Sequence, residues 1–368
     1  MITRVLIIGG YGNFGRFIST VLARDEQVQL IISGRNEDKS RVLAGQLVAC
    51  RYPEIAVVDI YDGIKQSLEN ICPDIVVHTS GPYQSQNYVV AKACIDQGCH
   101  YIDLADAREF VVGIGELHKE AKDKGVLLCS GASSVPCLSS AIVDEYKSEF
   151  RKLEALEYGI AIAQSSERGI ATTAAVLSYA GKSFKTLING QMRDIFGWQD
   201  LRWRKFWQLN TRALGNCDIP DLELFPKAYP DLKTIRFQAG LGLNILQMAL
   251  WVLSGLVRCK VLPSLEPMVS HLLKLSNLFD YFGGQSSGFY MKISGLNAAG
   301  CRRNIVFDMV ARQGDGSYIP AMPAILMVKK LIAGDITETG AYPCMGFVRL
   351  DEYLSALEVL NIQWRTSS

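Results

Sequence analysis

The sequence predicts an α/β protein: a doubly wound parallel sheet, then a second α+β region on a mainly antiparallel sheet. Three observations lead there. Apolar β-favouring segments alternate with helical patterns through the first ~140 residues, as βαβ units require. The earliest segment, Arg4 to Ile8, runs into Gly9-Gly10-Tyr11-Gly12-Asn13-Phe14-Gly15 and then a helical pattern at Phe14, Phe17, Ile18, Val21 and Leu22. From Arg151 the texture changes, and Leu153 to Ile162 approximately alternates as a half-buried strand does.

A buried parallel strand, a tight turn and a helix N-terminus are the parts of a dinucleotide site. Gly10 is expected to make the turn, Gly12 to let the backbone approach a pyrophosphate, and Gly15 to let the helix pack closely on the strand. Tyr11, Asn13 and Phe14 complete the loop, and the helix N-terminus offers N–H groups to phosphate. Val28 to Ser33 reads as the second strand and ends in Gly34-Arg35-Asn36. Where an NAD site would place an acid for the ribose 2′-hydroxyl there is none; Ser33, Arg35 and, a turn later, Lys39 suit a 2′-phosphate instead. This favours NADP(H).

Ile55 to Val58 is a third strand ending at Asp59, either an adenine contact or a solvated turn residue. Asp74 to His78 is a fourth, followed by Thr79-Ser80-Gly81-Pro82-Tyr83 at the strand edge where such sheets bind ligands. His100 to Leu104 and Val126 to Ser130 are the fifth and sixth. Further on, Thr234 to Gln238, Phe289 to Gly295 and Ile305 to Arg312 read as strands, with helical patterns at Ile170 to Leu187 and Leu246 to Leu275. Pro323 to Ile332 and Leu350 to Leu360 are helical and are expected to return to the nucleotide domain. The division is 1–150, 151–317 and 318–368.

With 38 Lys and Arg against 37 Asp and Glu, the net charge of +1 provides no field for nucleic acid. Ten cysteines show no metal-ligand spacing, so no metal is expected; reduced thiols and the lack of a signal peptide suit a cytoplasmic protein.

For proton transfer beside a hydride step, Tyr83, Asp103 and Asp106 are the candidates; packing and helix capping are their structural alternatives. Cys137 reads as a buried thiol. Tyr88 and Lys92 have short-chain-dehydrogenase spacing but come too early in the chain for that role. Trp198 to Trp207 gathers three tryptophans and three cations, read as a packing cluster or as a lid whose Arg202 and Arg204 hold an acidic substrate. The uncharged run Ala239 to Val257 reads as a buried or dimer-forming helix, or else as a surface that meets membrane or lipid.

These residues resemble the saccharopine dehydrogenase-like oxidoreductases. The resemblance rests on Gly9 to Gly15, Ser33-Gly34-Arg35, Ser80-Gly81-Pro82-Tyr83, His100 to Leu104, Ser130 to Ser140 and Gly340-Ala341-Tyr342-Pro343-Cys344. It implies a Rossmann-type NADP-binding domain, an inserted α+β domain that often mediates homodimerisation, and hydride transfer to or from a carbonyl, imine or activated C=C of a small substrate. A lipid- or polyketide-directed enoyl reductase-like enzyme and a non-catalytic NADP-binding redox sensor are the alternatives. Two departures stand out: Pro136-Cys137-Leu138 where relatives often have Pro-Gly-Leu, and Ala105-Asp106 where enoyl reductase-like members have Thr-Gly-Glu.

Overall fold

The computed structural model describes residues 2–164 and 169–368, which form two compact units. In chain order the strands are β1 (Thr3–Ile8), β2 (Val28–Gly34), β3 (Glu54–Val57), β4 (Ile75–His78), β5 (His100–Asp103), β6 (Leu127–Ser130), β7 (Lys152–Ala161) and β8 (Ser183–Ile188). They continue with β9 (Gln191–Phe196), β10 (Arg202–Lys205), β11 (Thr211–Asn216), β12 (Thr234–Gly240), β13 (Ser287–Leu296), β14 (Arg302–Ala311), β15 (Gly340–Pro343) and β16 (Ile362–Ser367).

The first unit holds residues 1–141 and 318–353. Its sheet is parallel, in the order β15-β6-β5-β4-β1-β2-β3. Val5, Leu6, Ile7 and Ile8 are all buried, as a central strand covered on both faces must be. The following helix, Asn13–Leu22, buries Gly15, Ile18, Ser19 and Leu22, one stripe at helical spacing. β1 lies between β2 and β4, so the chain's winding reverses at β1, and the crevice at its carboxyl end is where a doubly wound sheet takes ligands. The returning segment supplies the helix Met322–Ala333 and β15, and its two ends are tied together by Tyr353, which donates to the Ile319 carbonyl at 2.6 Å.

The second unit holds 142–317 and 354–368. Its sheet runs β10-β11-β12-β7-β13-β14-β16; only β12 and β7 pair in parallel, and every other neighbouring pair is antiparallel. The boundaries therefore fall at 141, 317 and 353, a correction to 150 and to a tail wholly on the nucleotide unit. The last strand, β16, instead adds to β14, with Arg365 3.2 Å from Asp308.

Two long helical patterns also break. The first is a helix, Ile170–Ser178, followed by the β8–β9 hairpin. Gly181, at φ +69, turns the chain there, and a β-carbon on it would overlap the Ser254 carbonyl. The second divides into Asn244–Arg258 and Val269–Asn277, with Pro263 and Pro267 between them. The tryptophan stretch is not a single cluster. Trp198 is buried and donates to the Val176 carbonyl at 2.7 Å, whereas Arg202 to Lys205 form β10 at the sheet edge.

Candidate functional site

The glycine loop and the segment after β4 meet at the end of β1. Gly9, at φ +80, makes the turn, a correction to the expectation that Gly10 does so. Gly10 is glycine because a β-carbon would come 2.8 Å from Ile32 of β2. At Gly15 a β-carbon would overlap the Gly9 carbonyl and come 2.8 Å from the Gly10 Cα, so the helix can seat on the turn only without a side chain. Gly12 is the N-cap, its backbone extended and its N–H bonded to Gly9 O at 2.9 Å. No side chain caps this helix and its first turn carries no acid. The positive end is thereby left facing the crevice, a fit for a pyrophosphate.

The loop past β2 is organised by Tyr11. Its ring lies against Gly34, where a β-carbon would come 2.5 Å from the ring, and its hydroxyl accepts the Asn36 N–H at 3.2 Å. The Asn36 side chain is spent as a helix cap on the Lys39 N–H at 2.9 Å. The Lys39 ammonium lies 5.9 Å from the Tyr11 ring centre. Arg35 is exposed and forms no ion pair with any described residue. Ser33 is a correction: it is buried and its hydroxyl donates to Ile7 O at 3.1 Å, so it steadies β1 rather than facing a phosphate. Arg35 and Lys39 remain as the cations that fit a 2′-phosphate.

Asp59 accepts the Tyr61 N–H at 3.0 Å, the turn reading of this residue. Beside it a cavity of about 320 Å³ is lined by Ile60, Tyr61, Ser85, Gln86, Asn87 and Val89. The Thr79 hydroxyl donates to Ile8 O at 2.9 Å, tying the two loops together. Gln86, which sequence reasoning missed, donates to the carbonyls of Ser80 (2.7 Å) and Pro82 (3.1 Å) and so shapes the loop through Gly81.

The three proton-transfer candidates separate. Tyr83 is buried, its hydroxyl donates to His78 O at 2.6 Å, and burial pushes its pKa well up. That is a correction, because its proton is committed to the main chain. Asp103 is buried too: one carboxylate oxygen accepts the N–H of Ala105 (2.9 Å), the N–H of Gly131 (2.8 Å) and the Ser130 hydroxyl (3.0 Å). It pins the loops after β5 and β6, again a correction to a proton-transfer role. Burial outweighs those hydrogen bonds and raises its pKa to about 6. Asp106 alone is open to solvent, with Gln84 donating to it at 3.3 Å; surrounding protein raises its pKa. Elsewhere, the Tyr88 hydroxyl donates to Phe110 O at 2.7 Å and Cys137 is buried. Arg204 lies over the Tyr290 ring at 4.1 Å, and Arg202 is 3.4 Å from Asp200.

Comparisons with known proteins agree with this geometry. Residues 5–129 match the family described as the saccharopine dehydrogenase NADP binding domain. A saccharopine dehydrogenase-like oxidoreductase of Homo sapiens is 26% identical over 149 residues, covering 36% of this chain and 35% of the human protein. A lipid droplet localized protein of Caenorhabditis elegans is 24% identical over 143 residues, 36% of this chain and 34% of that protein. The similar stretch thus spans about a third of the curated relatives. The saccharopine dehydrogenase (L-Glu forming) of Saccharomyces cerevisiae has the same fold, with a TM-score of 0.72 at 12% identity over 100% of both chains.

Proposed function

We propose that this chain, whose residues 5–129 match the saccharopine dehydrogenase NADP binding domain, is an NADP(H)-dependent oxidoreductase of that kind, acting on a carbonyl, imine or activated C=C. The observation that carries the reading is the glycine turn at the reversal point of a parallel sheet, with the second loop, Thr79 to Tyr83, held against it. Gly9, Gly12 and Gly15 admit the pyrophosphate to the helix end, and Arg35 with Lys39 receives the 2′-phosphate. NADP(H) supplies the hydride donor or acceptor. The protein's own residues hold the loops, exclude alternative loop positions and supply a proton.

Replacing Arg35 by Ala removes one charge-assisted contact, so the Kd for NADPH should rise roughly 10- to 100-fold. The Kd for NADH should stay within about twofold, since NADH has no 2′-phosphate. Titration with both nucleotides measures this, and equal losses would remove Arg35 from the phosphate site.

Asp106 is the group that fits proton transfer, because Tyr83 and Asp103 are engaged internally. Turnover is sought by following nicotinamide absorbance with keto acids, imines and enoyl thioesters. With any substrate so found, Asp106→Asn should lower kcat at least about 100-fold while leaving NADPH affinity unchanged. An unchanged kcat would send the proton through another group. A second reading, a redox sensor, draws support from that internal engagement of two candidates. Tight NADPH binding without hydride loss to the whole panel would favour it.

A further inference from the structure

The helix Asn244–Arg258 is amphipathic in the inverted sense. Its buried positions are Gln247, Leu250, Ser254 and Val257, two of the four polar. Both polar side chains are engaged inward: the Gln247 side-chain oxygen accepts the Leu241 N–H at 3.0 Å, and the Ser254 hydroxyl donates to Trp251 O at 3.0 Å and accepts the Gln199 amide. The outward stripe is more apolar than the inward one. Ile245, Met248, Val252 and Leu256 follow helical spacing, with Trp251 at their flank, and Ile245 and Val252 are 64% and 52% exposed. No charged residue occurs from Asn244 to Val257, about 20 Å of helix.

The apolar surface continues in and just after the helix Val269–Asn277, where Leu275, Leu278, Tyr281 and Phe282 are exposed, Tyr281 to 93%. Two ties bring the segments together. At one end Gln164 donates to Ser276 O (3.1 Å) and Asp280 (2.9 Å), and a β-carbon on Gly242 or on Gly283 would overlap that same glutamine. At the other, Gly181 packs on Ser254 and Arg258 while its neighbour Lys182 pairs with Glu266 at 2.8 Å. Scattered exposed apolar residues are ordinary; a stripe of this length with a second exposed apolar segment beside it marks an interaction surface.

Charge decides what meets it. The acids within 244–282 are Glu266 and Asp280, and both are engaged, by Lys182 and Gln164. Lys260 and Lys274 are exposed and pair with no acid among the described residues; Arg258 is exposed above the Phe196 ring. An apolar stripe with aromatic residues and unpaired cations around it is complementary to an anionic lipid surface. A second copy of the same patch would instead set these cations against one another, with no free acid to receive them. No described helix is long and apolar enough to cross a membrane, which leaves seating in the interface. We propose that the exposed face of Asn244–Arg258, with Leu275 to Phe282, lies in the surface of an anionic phospholipid layer.

The full chain is floated with vesicles of phosphatidylcholine alone and of phosphatidylcholine with phosphatidylglycerol. It should co-float with the anionic vesicles at least about tenfold more than with the neutral ones, and added salt should weaken this. The double variant Ile245→Asp with Val252→Asp changes only exposed positions and should lose flotation while keeping its melting temperature and NADPH affinity. Lys260→Glu with Lys274→Glu should reduce the preference for the anionic lipid. Failure of the native chain to float, or undiminished flotation of the aspartate variant, overturns the proposal. A native dimer that the aspartate variant dissolves, with no vesicle binding, assigns the face to a second copy and overturns it equally. NADPH affinity, read separately, keeps these outcomes apart from the cofactor reading.

Discussion

Gly15→Ala is expected to abolish measurable NADPH binding, the largest effect of any single methyl group in the first unit. A β-carbon there overlaps the Gly9 carbonyl and comes 2.8 Å from the Gly10 Cα, both backbone, so no rotamer change can relieve it. Either the helix Asn13–Leu22 moves off β1 or the turn at Gly9 opens, and each removes the amides that would cradle phosphate. Overpacking of this kind costs about 1–3 kcal/mol in stability, and the loss in affinity should exceed 100-fold. Gly45 is the control: a β-carbon there meets nothing within 4 Å, and it lies inside the helix Glu37–Gln46. Gly45→Ala should leave NADPH affinity unchanged and raise stability slightly, by up to about 1 kcal/mol. Nucleotide titration and thermal melting of both variants check the pair, and a Gly15→Ala protein binding NADPH normally would refute the geometry.

Asp103→Asn is expected to stabilise the protein near pH 7 and to have no effect near pH 4. The asparagine oxygen can accept the same three donors, and the second carboxylate oxygen, which the amide nitrogen replaces, makes no hydrogen bond of ordinary geometry, the Tyr101 hydroxyl interacting with the carboxyl only weakly. Burial raises the carboxyl from 3.8 to about 6, which corresponds to at most about 3 kcal/mol of destabilisation when the group is ionised. The folded state therefore binds this proton more tightly than the unfolded chain does. Its contribution to stability falls as pH rises from about 4 to about 6. His78 has the opposite sign, since burial lowers it from 6.5 to about 4 and the unfolded chain takes up its proton first. Stability from His78 is lost as pH falls through that window. The two slopes nearly cancel in the native protein, and Asp103→Asn should unmask the His78 slope. Urea midpoints at pH 4, 5, 6 and 7 measure this; a variant less stable than the native chain at pH 7 would mean that the anion itself is required.

How much of this was legible in the sequence depends on how far apart the interacting residues lie. The glycine loop, the strand before it and the helix after it are one local unit, and Gly15 seats the helix closely on the turn as expected. Even there the turn moved to Gly9, because only backbone angles separate two adjacent glycines. Ser33 looked like a phosphate contact because strand alternation alone does not reveal that its hydroxyl meets Ile7 on the neighbouring strand. The strands β8, β9, β10, β11, β15 and β16 were missed. Two of them, β10 and β15, are only four residues long, and the pairing partners lie far along the chain or on an unpredicted neighbour.

What the sequence by itself determined is the nucleotide end: a parallel sheet opening on a glycine turn, with Arg35 and Lys39 past the second strand. That much follows from residues within one βαβ unit, whose geometry is set by backbone sterics and local periodicity. Tertiary structure alone decided which side chains are free to act. Tyr83, Asp103 and Asp106 look alike as candidates along the chain, yet Ser130 and Gly131 occupy Asp103 and the His78 carbonyl occupies Tyr83. It also decided which face of Asn244–Arg258 turns outward, because the buried polar partners of Gln247 and Ser254 exist only once the unit has folded.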